Sequence, residues 1–277
     1  MNAIVSIKNV SVSFRENVAL RNISLDIAEG AFVSVIGPNG AGKTTLLTVV
    51  NGLGKIHSGS VRVFGKYLTS GTVNEIRKNI GYVPQHLSID PRSPISVKEA
   101  VMIGRFGKIG LLKKWTSSDD EIIAQAMKTV GIEHLAGKPI GHLSGGEHQK
   151  VSIARALGQE PRIILLDEPT SNLDPRAQNE IIGLIEKIYK EKKYTVVFVT
   201  HVLSHIPHSC TDVVLMKQGK IFDSGSADSM LEASVLSKLY DFPMHVSVVH
   251  GRKHFHAGHL HPGHPQAGAM NNGGSHV

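Results

Sequence analysis

The chain has 277 residues, 41% of them hydrophobic, and a formal net charge of +7, enough apolar content for a sizeable core and too much for a wholly disordered protein. A single cysteine, Cys210, excludes an intrachain disulfide and fits a reducing compartment, and no stretch approaches the ~18 apolar residues that would span a bilayer. The excess of Lys and Arg suits an acidic partner (nucleotide, nucleic acid or anionic headgroups) or simply a solvated basic surface.

Taken in order, Met1 to Lys8 alternates like a strand and lacks a secretory apolar core, so a cytoplasmic chain is expected. Residues 3–36 read as antiparallel strands, with Ile4–Val12 and Ile23–Ile27 alternating and Glu29-Gly30 turning. Phe14 is either core or an aromatic face for adenine. Ala31–Ile36 is a short buried strand. The pattern G-x-x-x-x-G-K-[ST] follows it as Gly37, Pro38, Asn39, Gly40, Ala41, Gly42, Lys43 and Thr44, and a helix opens at Lys43. Strand, Gly-rich loop and helix N-terminus together make an anion cradle: glycines bring backbone N–H groups onto a phosphate, Lys43 reaches the β- and γ-phosphates, and the Thr44 hydroxyl ligates Mg²⁺.

Further strands are expected at 59–65 and 80–85, with a loop starting near Gln85 after Pro84. Residues 92–135 turn helical: Ser96 to Glu99 reads as a capping box, and Asp119-Asp120-Glu121 opens another helix. Gly104–Ser118, with the only tryptophan, Trp115, reads as an exposed loop or short helix. Ser144, Gly145 and Gly146 then precede a helix through Leu157, which is a helix cap or a second anion corner. Ile163–Leu166 is a buried strand that delivers Asp167 and Glu168 at its C-terminal end, where ligand chemistry sits in α/β sheets. Asp167 is placed to hold Mg²⁺, and Glu168 to polarise an attacking water. A turn at Ser171–Pro175 leads into a helix, and the strand Tyr194–Thr200 ends at His201, whose shared edge with Glu168 suggests a γ-phosphate contact.

These motifs, together and in order, resemble the nucleotide-binding subunit of ATP-binding-cassette (ABC) transporters over roughly residues 3–240. The resemblance rests on Phe14, the loop 37–44, Gln85 (Q-loop), Leu143–Glu147 (signature), Ile163–Glu168 (Walker B), Ser171–Asp174 (D-loop) and His201 (switch histidine). It implies an α/β fold: a P-loop NTPase core, an antiparallel β subdomain and an inserted α-helical subdomain at about 86–160. It implies ATP and Mg²⁺ as cofactors, with Thr44, Gln85 and Asp167 around the metal and Glu168, His201 and Gln85 as the catalytic set. Phe14, Gly37 to Thr45, Ser144, Gly145, Gly146 and Asp174 would contact nucleotide. Two copies would pack head to tail with two ATPs between them. The helical region would dock on an integral membrane permease at the cytoplasmic face of the membrane, with an extracytoplasmic solute-binding protein beyond it. Three positions depart from the commonest pattern: Glu147, Lys150 and Val202, the last where an Asp beside the switch histidine is usual.

Residues 241–277 are expected to form a flexible His/Gly/Pro-rich tail. Half of the 16 histidines lie in the last 33 residues. His254, His256, His259, His261 and His264 are candidate zinc ligands, since neutral imidazole suits Zn, Ni and Cu; the alternative is a low-complexity tail without a metal role. Met102–Lys108 resembles the zinc/manganese importer group, and equally the iron-siderophore and cobalamin group; the tail favours a metal ion, zinc first. A non-transport ABC ATPase acting on nucleic acid or ribosomes is the other class. A single cassette and the short span between Gln85 and Leu143 argue against it, so no nucleic-acid partner is expected.

Overall fold

The computed structural model describes residues 3–14, 17–85, 94–110, 113–249 and 252–258. Strands β1 (Ala3–Phe14) and β2 (Asn17–Ala28) form a hairpin whose alternation buries Val5, Ile7, Val10 and Val12 against Leu20, Ile23 and Ile27. The alternation of β1 slips at Asn9, whose positive φ of 51° marks the register shift. Strand β3 (Phe32–Ile36), buried at every position, runs through the glycine loop into α1 (Lys43–Val50). Strands β4 (Ser58–Val63) and β5 (Lys66–Tyr67) complete an antiparallel sheet in the order β2-β1-β4-β5.

A short helix, α2 (Val73–Arg77), leads to β6 (Ile80–Val83). Three helices follow: α3 (Val97–Ile109), α4 (Ser117–Val130) and α5 (Gly145–Leu157). All three carry capping boxes, Ser96 with Glu99, Thr116 with Asp119 and Ser144 with Glu147, so each start is fixed locally. The chain then alternates through β7 (Ile163–Asp167), α6 (Pro175–Lys192) and β8 (Thr195–Thr200), and closes with β9 (Asp212–Lys217) and β10 (Lys220–Ser226). The second sheet has the order β10-β9-β3-β8-β7-β6, parallel except for β10.

Both faces of this parallel sheet are covered, which is why its strands read as continuous apolar runs. On one face Val33, Val35, Leu165 and Val197 meet α1 and the antiparallel sheet. On the other, Phe32, Ile164, Leu166 and Phe198 meet α5, α6 and the helical layer. Arg105 of α3 ties that layer together: its guanidinium donates to Asp119 at 2.8 Å and to Glu160 at 2.6 Å.

Two expectations change. Of the loop or short helix expected at Gly104–Ser118, Gly104–Ile109 is helical, the last turns of α3, and Gly104 is a packing glycine: a Cβ there would stand 2.0 Å from the Arg155 carbonyl oxygen of α5. Trp115 is half-buried and packs on the helical core, its ring 5.0 Å from that of Phe106. The second change is at the C-terminus. After α7 (Ala227–Met230) and α8 (Ala233–Tyr240), residues expected as tail form a hairpin, β11 (Met244–Val249) and β12 (Arg252–Ala257). The period-2 spacing of Met244, Val246 and Phe255 lets one face pack on the apolar cluster of Leu231, Leu236 and Leu239. Low-complexity composition had masked that alternation. No helix among the described residues is long and apolar enough to cross a membrane.

Candidate nucleotide-hydrolysing site

Four neighbouring parallel strands, β3, β8, β7 and β6, end on one edge. Just past those ends stand the glycine loop, His201, Glu168 and Gln85 respectively. Residues scattered over more than half the chain thus share the edge where α/β sheets bind ligands.

The loop works because of its glycines. Gly40 and Gly42 have φ of 77° and 96°, conformations costly for other residues. A Cβ on Gly42 would also come 2.7 Å from the Ala19 carbonyl oxygen, so the loop lies hard against β2. Gly42 is the N-cap of α1 and offers no side-chain acceptor, leaving the first-turn N–H groups for an anion. Lys43 is buried, and its Nζ donates to the carbonyl oxygens of Gly37 at 2.9 Å and Pro38 at 3.1 Å. Burial pushes the Lys43 ammonium below the usual lysine range, while Glu168 and Asp167 pull it back. A phosphate in the loop would replace two neutral acceptors with a charged one, a stronger partner.

Thr44 Oγ1 donates to Asp167 Oδ1 at 3.0 Å, and the Tyr82 hydroxyl donates to Asp167 Oδ2 at 3.4 Å. Burial pushes Asp167 up, the Thr44 bond opposing it. The Tyr82 phenol is pushed up to about 12, mainly by burial and then by Asp167, so it remains a neutral donor. A hydroxyl and a carboxylate this close, short of positive charge, suit a hard cation that keeps waters, as Mg²⁺ does.

Glu168 is the hub. Its backbone is left-handed, φ 47°, and its N–H donates to the Val199 carbonyl at 3.0 Å, turning the side chain toward the loop. Oε2 accepts from Gln85 Nε2 at 3.0 Å, Oε1 lies 3.0 Å from His201 Nδ1, and Lys43 Nζ is 4.0 Å away. With Nδ1 donating to that carboxylate, Nε2 is left facing the site, where it donates to a phosphate oxygen when the ring carries its second proton. Val202 contributes backbone only: its N–H donates to Thr200 Oγ1 at 3.0 Å, which shapes the turn, while Glu168 orients His201. The unusual residue after His201 therefore leaves this contact intact.

The signature residues lie elsewhere. Ser144, Gly145 and Gly146 line a groove with Asn172, Leu173, Asp174 and Arg176, and nothing of the glycine loop enters it. Cβ atoms on Gly145 and Gly146 would each stand 3.2 Å from α6-side groups, Leu173 and Ala177, so the glycines let α5 approach. Ser144 Oγ accepts from Glu147 N–H at 3.3 Å. Asp174 caps α6 by accepting from the N–H groups of Arg176 and Ala177, both at 3.0 Å. Phe14 is 54% exposed at the end of β1, not core. Pro38, Asn39, Ala41 and Thr45 fall in or just after the loop as expected.

Sequence reasoning missed Tyr82, whose partner is 85 residues away. It also missed Thr170, whose Oγ1 lies 2.9 Å from His205 Nδ1 and links the segment after Glu168 to the segment after His201. No local spacing signals either pair. Of the expected zinc ligands, His254 and His256 lie on β12, and His259, His261 and His264 fall outside the described residues. Among the described residues no group of three or more His, Cys, Asp or Glu side chains is close enough to hold a metal ion.

The family model for "ABC transporter" matches residues 20–171. The chain belongs to the ABC transporter family. The manganese transport system ATP-binding protein MntB of Halalkalibacterium halodurans is 35% identical over 87% of this chain and 93% of its own length. The ferric enterobactin transport ATP-binding protein FepC of Escherichia coli is 31% identical over 84% and 85%. Among solved structures, a dimeric post-hydrolysis state of the ATP-binding cassette MJ0796 with ADP and Pi superposes with a TM-score of 0.71, covering 80% of this chain and 98% of that one at 31% identity. As a member of the ABC transporter family the chain is an ATPase whose hydrolysis is coupled to transport, and the similar cassette MJ0796 is dimeric.

Proposed function

We propose that this chain is the ATP-hydrolysing subunit of an importer for a divalent metal ion, zinc or manganese, bound peripherally to a permease at the cytoplasmic face of the membrane. The observation that carries the chemistry is the Glu168 carboxylate, held between Gln85 and His201 and 4.0 Å from Lys43. Glu168 accepts the proton of the attacking water. His201 and Lys43 hold the γ-phosphate end of the nucleotide, Phe14 offers a face to adenine, and the first-turn N–H groups of α1 meet the phosphates. Thr44 and Asp167, with Gln85 on the same sheet edge, would hold Mg²⁺, which would supply charge neutralisation on the phosphates.

The signature groove stands apart from the loop within one chain, which supports head-to-tail pairing: Ser144, Gly145 and Gly146 of one copy face the nucleotide on the other. A groove lined by Asn51, Arg77, Tyr82, Ile103, Arg155 and Gln159 suits the permease. Its walls are tied to the site, because Arg77 donates to the carbonyls of Asn51 and Gly52 at the end of α1, and Gln159 donates to Arg77. An extracytoplasmic solute-binding protein would complete such an importer.

The cargo reading leans on the two manganese-named relatives, at 35% and 36% identity. The ferric enterobactin relative at 31% supports a siderophore as the second reading. Replacing the native chain with Glu168→Gln in cells on limiting metal should leave nucleotide binding and remove the base. A selective fall in cell zinc or manganese names the ion. Normal content of both, with iron falling, moves the cargo to a siderophore.

A further inference from the structure

Glu168 and His201 stand just past the ends of β7 and β8, where the main-chain ladder between these strands runs out. Its last register pair is Asp167 with Val199, and its last bond runs from Glu168 N–H to the Val199 carbonyl. Beyond that bond no main-chain hydrogen bond joins the two segments among the described residues. A side-chain bond joins them instead: Thr170 Oγ1 and His205 Nδ1 lie 2.9 Å apart. Thr170 is 2% exposed, so its hydroxyl would be costly to leave unpaired. Burial, then the neighbouring His201, holds the His205 ring below the usual histidine range, which favours the neutral imidazole. A hydroxyl both donates and accepts, so the bond stands with the ring proton on either nitrogen.

The chain leaves little slack between this bond and the site. Thr170 follows Glu168 across Pro169 alone, whose φ is fixed. His205 ends the turn Leu203–His205 that begins just after His201, and its N–H donates to the Val202 carbonyl at 3.0 Å. The other side of that turn is apolar: Leu203 and Ile206 pack on the cluster of Leu231, Leu236 and Leu239. The turn is therefore pinned twice, by apolar burial on one side and by one polar bond to the Glu168 segment on the other. Between the two pinned segments lies the 3.0 Å contact of Glu168 Oε1 with His201 Nδ1. The His201 side chain is 40% exposed, so packing alone does not fix its ring.

We infer that Thr170 and His205 are a positioning pair for hydrolysis: their hydrogen bond continues the β7–β8 ladder past its end and sets the distance between Glu168 and His201. The pair acts through those two residues, and the inference rests on the catalytic roles proposed for them. Nucleotide binding relies on the glycine loop, so loosening the pair should cost turnover and spare affinity.

The test is steady-state ATP hydrolysis by the full chain. Thr170→Val keeps the side-chain shape and deletes the hydroxyl; His205→Leu deletes the ring nitrogens. Each should lower kcat roughly tenfold and leave KM for ATP within about twofold, since a ~1 Å misplacement at a reacting group costs up to ~100-fold. Thr170→Ser returns the hydroxyl, and His205→Asn sets an amide close to the place of Nδ1; each should recover most of the lost turnover. The double variant Thr170→Val/His205→Leu should be no slower than the slower single variant, because both remove the same bond. Losses that multiply in the double variant, a KM that rises as kcat falls, or Ser and Asn variants as slow as Val and Leu each overturn the positioning role and leave a packing contact. Glu168→Gln in the same assay separates this inference from the reading beneath it. If Glu168→Gln is inactive while Thr170→Val turns over normally, the pair alone is refuted. If Glu168→Gln turns over normally, the role of Glu168 is refuted and the pair with it.

Discussion

Gly104 and Gly107 sit on the same helix and give opposite expectations for the same change. By intrinsic propensity, either Gly→Ala in a helix interior should stabilise by ~1 kcal/mol. At Gly107 the new Cβ would meet only Gln159 Nε2, at 3.6 Å, ordinary contact with a flexible side chain. At Gly104 it would stand 2.0 Å from the Arg155 carbonyl oxygen and 2.9 Å from its carbon. That is about 1.5 Å short of a comfortable contact, against backbone that cannot rotate away. Helices α3 and α5 must part, at an overpacking cost of ~1–3 kcal/mol. At Gly104 the two effects leave a net loss of up to ~2 kcal/mol, so Gly104→Ala should lower the melting temperature by up to roughly 8 °C, since ~1 kcal/mol shifts a domain of this size by about 2–4 °C. Gly107→Ala should raise it by up to about 4 °C. Calorimetry on the two variants side by side is the assay. Because α5 begins at the signature residues, Gly104→Ala should also slow ATP hydrolysis while Gly107→Ala should not. Equal stabilisation by both substitutions would refute the reading of Gly104 as a close-packing position.

Other expectations are simpler to state. Ser96→Ala removes the hydroxyl of the α3 capping box and should cost about 1 kcal/mol in urea unfolding, with Ser96→Asp recovering most of it. Hydrogen bonds from Thr116, then from Arg105, hold the Asp119 carboxyl below the usual carboxylate range. A depressed folded-state carboxyl contributes stability above its unfolded value and loses it as pH falls through the folded one. Stability should therefore drop on acidification below about pH 4, and Arg105→Met should make that drop shallower; an identical slope would count against the pairing. Tyr82→Phe keeps the ring and deletes the donor to Asp167, so the Mg²⁺ concentration for half-maximal hydrolysis should shift while the melting temperature stays within about 2 °C. No shift in Mg²⁺ dependence would make Tyr82 a mere wall of the groove.

The sequence was most legible where local chemistry is self-sufficient. The capping box at Ser96, the helix cap at Ser144, the glycine loop and the buried run before Asp167 each carry their signal within a few residues, and each was found where the pattern put it. It was least legible where a residue's meaning depends on a distant partner. Gly104 was open between loop and short helix because nothing nearby reveals the Arg155 carbonyl against it. Trp115 looked exposed because its cover comes from Phe106. Phe14 was ambiguous between core and surface, since a residue at the last position of a strand has no further alternation to place it. The C-terminal hairpin was hidden by composition: histidine and glycine diluted Met244, Val246 and Phe255, three apolar residues on one face with a ready cluster to cover them. Tyr82 and Thr170 carry polar contacts across strands, which no spacing rule encodes.

The order β3-β8-β7-β6 has a consequence for how such a molecule can change. The spacing between the glycine loop, His201, Glu168 and Gln85 is set by the main-chain ladder, with strands ~4.8 Å apart whatever their side chains. The long connection from β6 to β7 carries the whole helical layer, and the hairpin hangs beyond β10, yet neither interrupts that ladder. The hydrolytic engine behaves as a fixed ruler with exchangeable attachments. The helical layer or the hairpin can be reshaped without altering the distances on which bond cleavage depends.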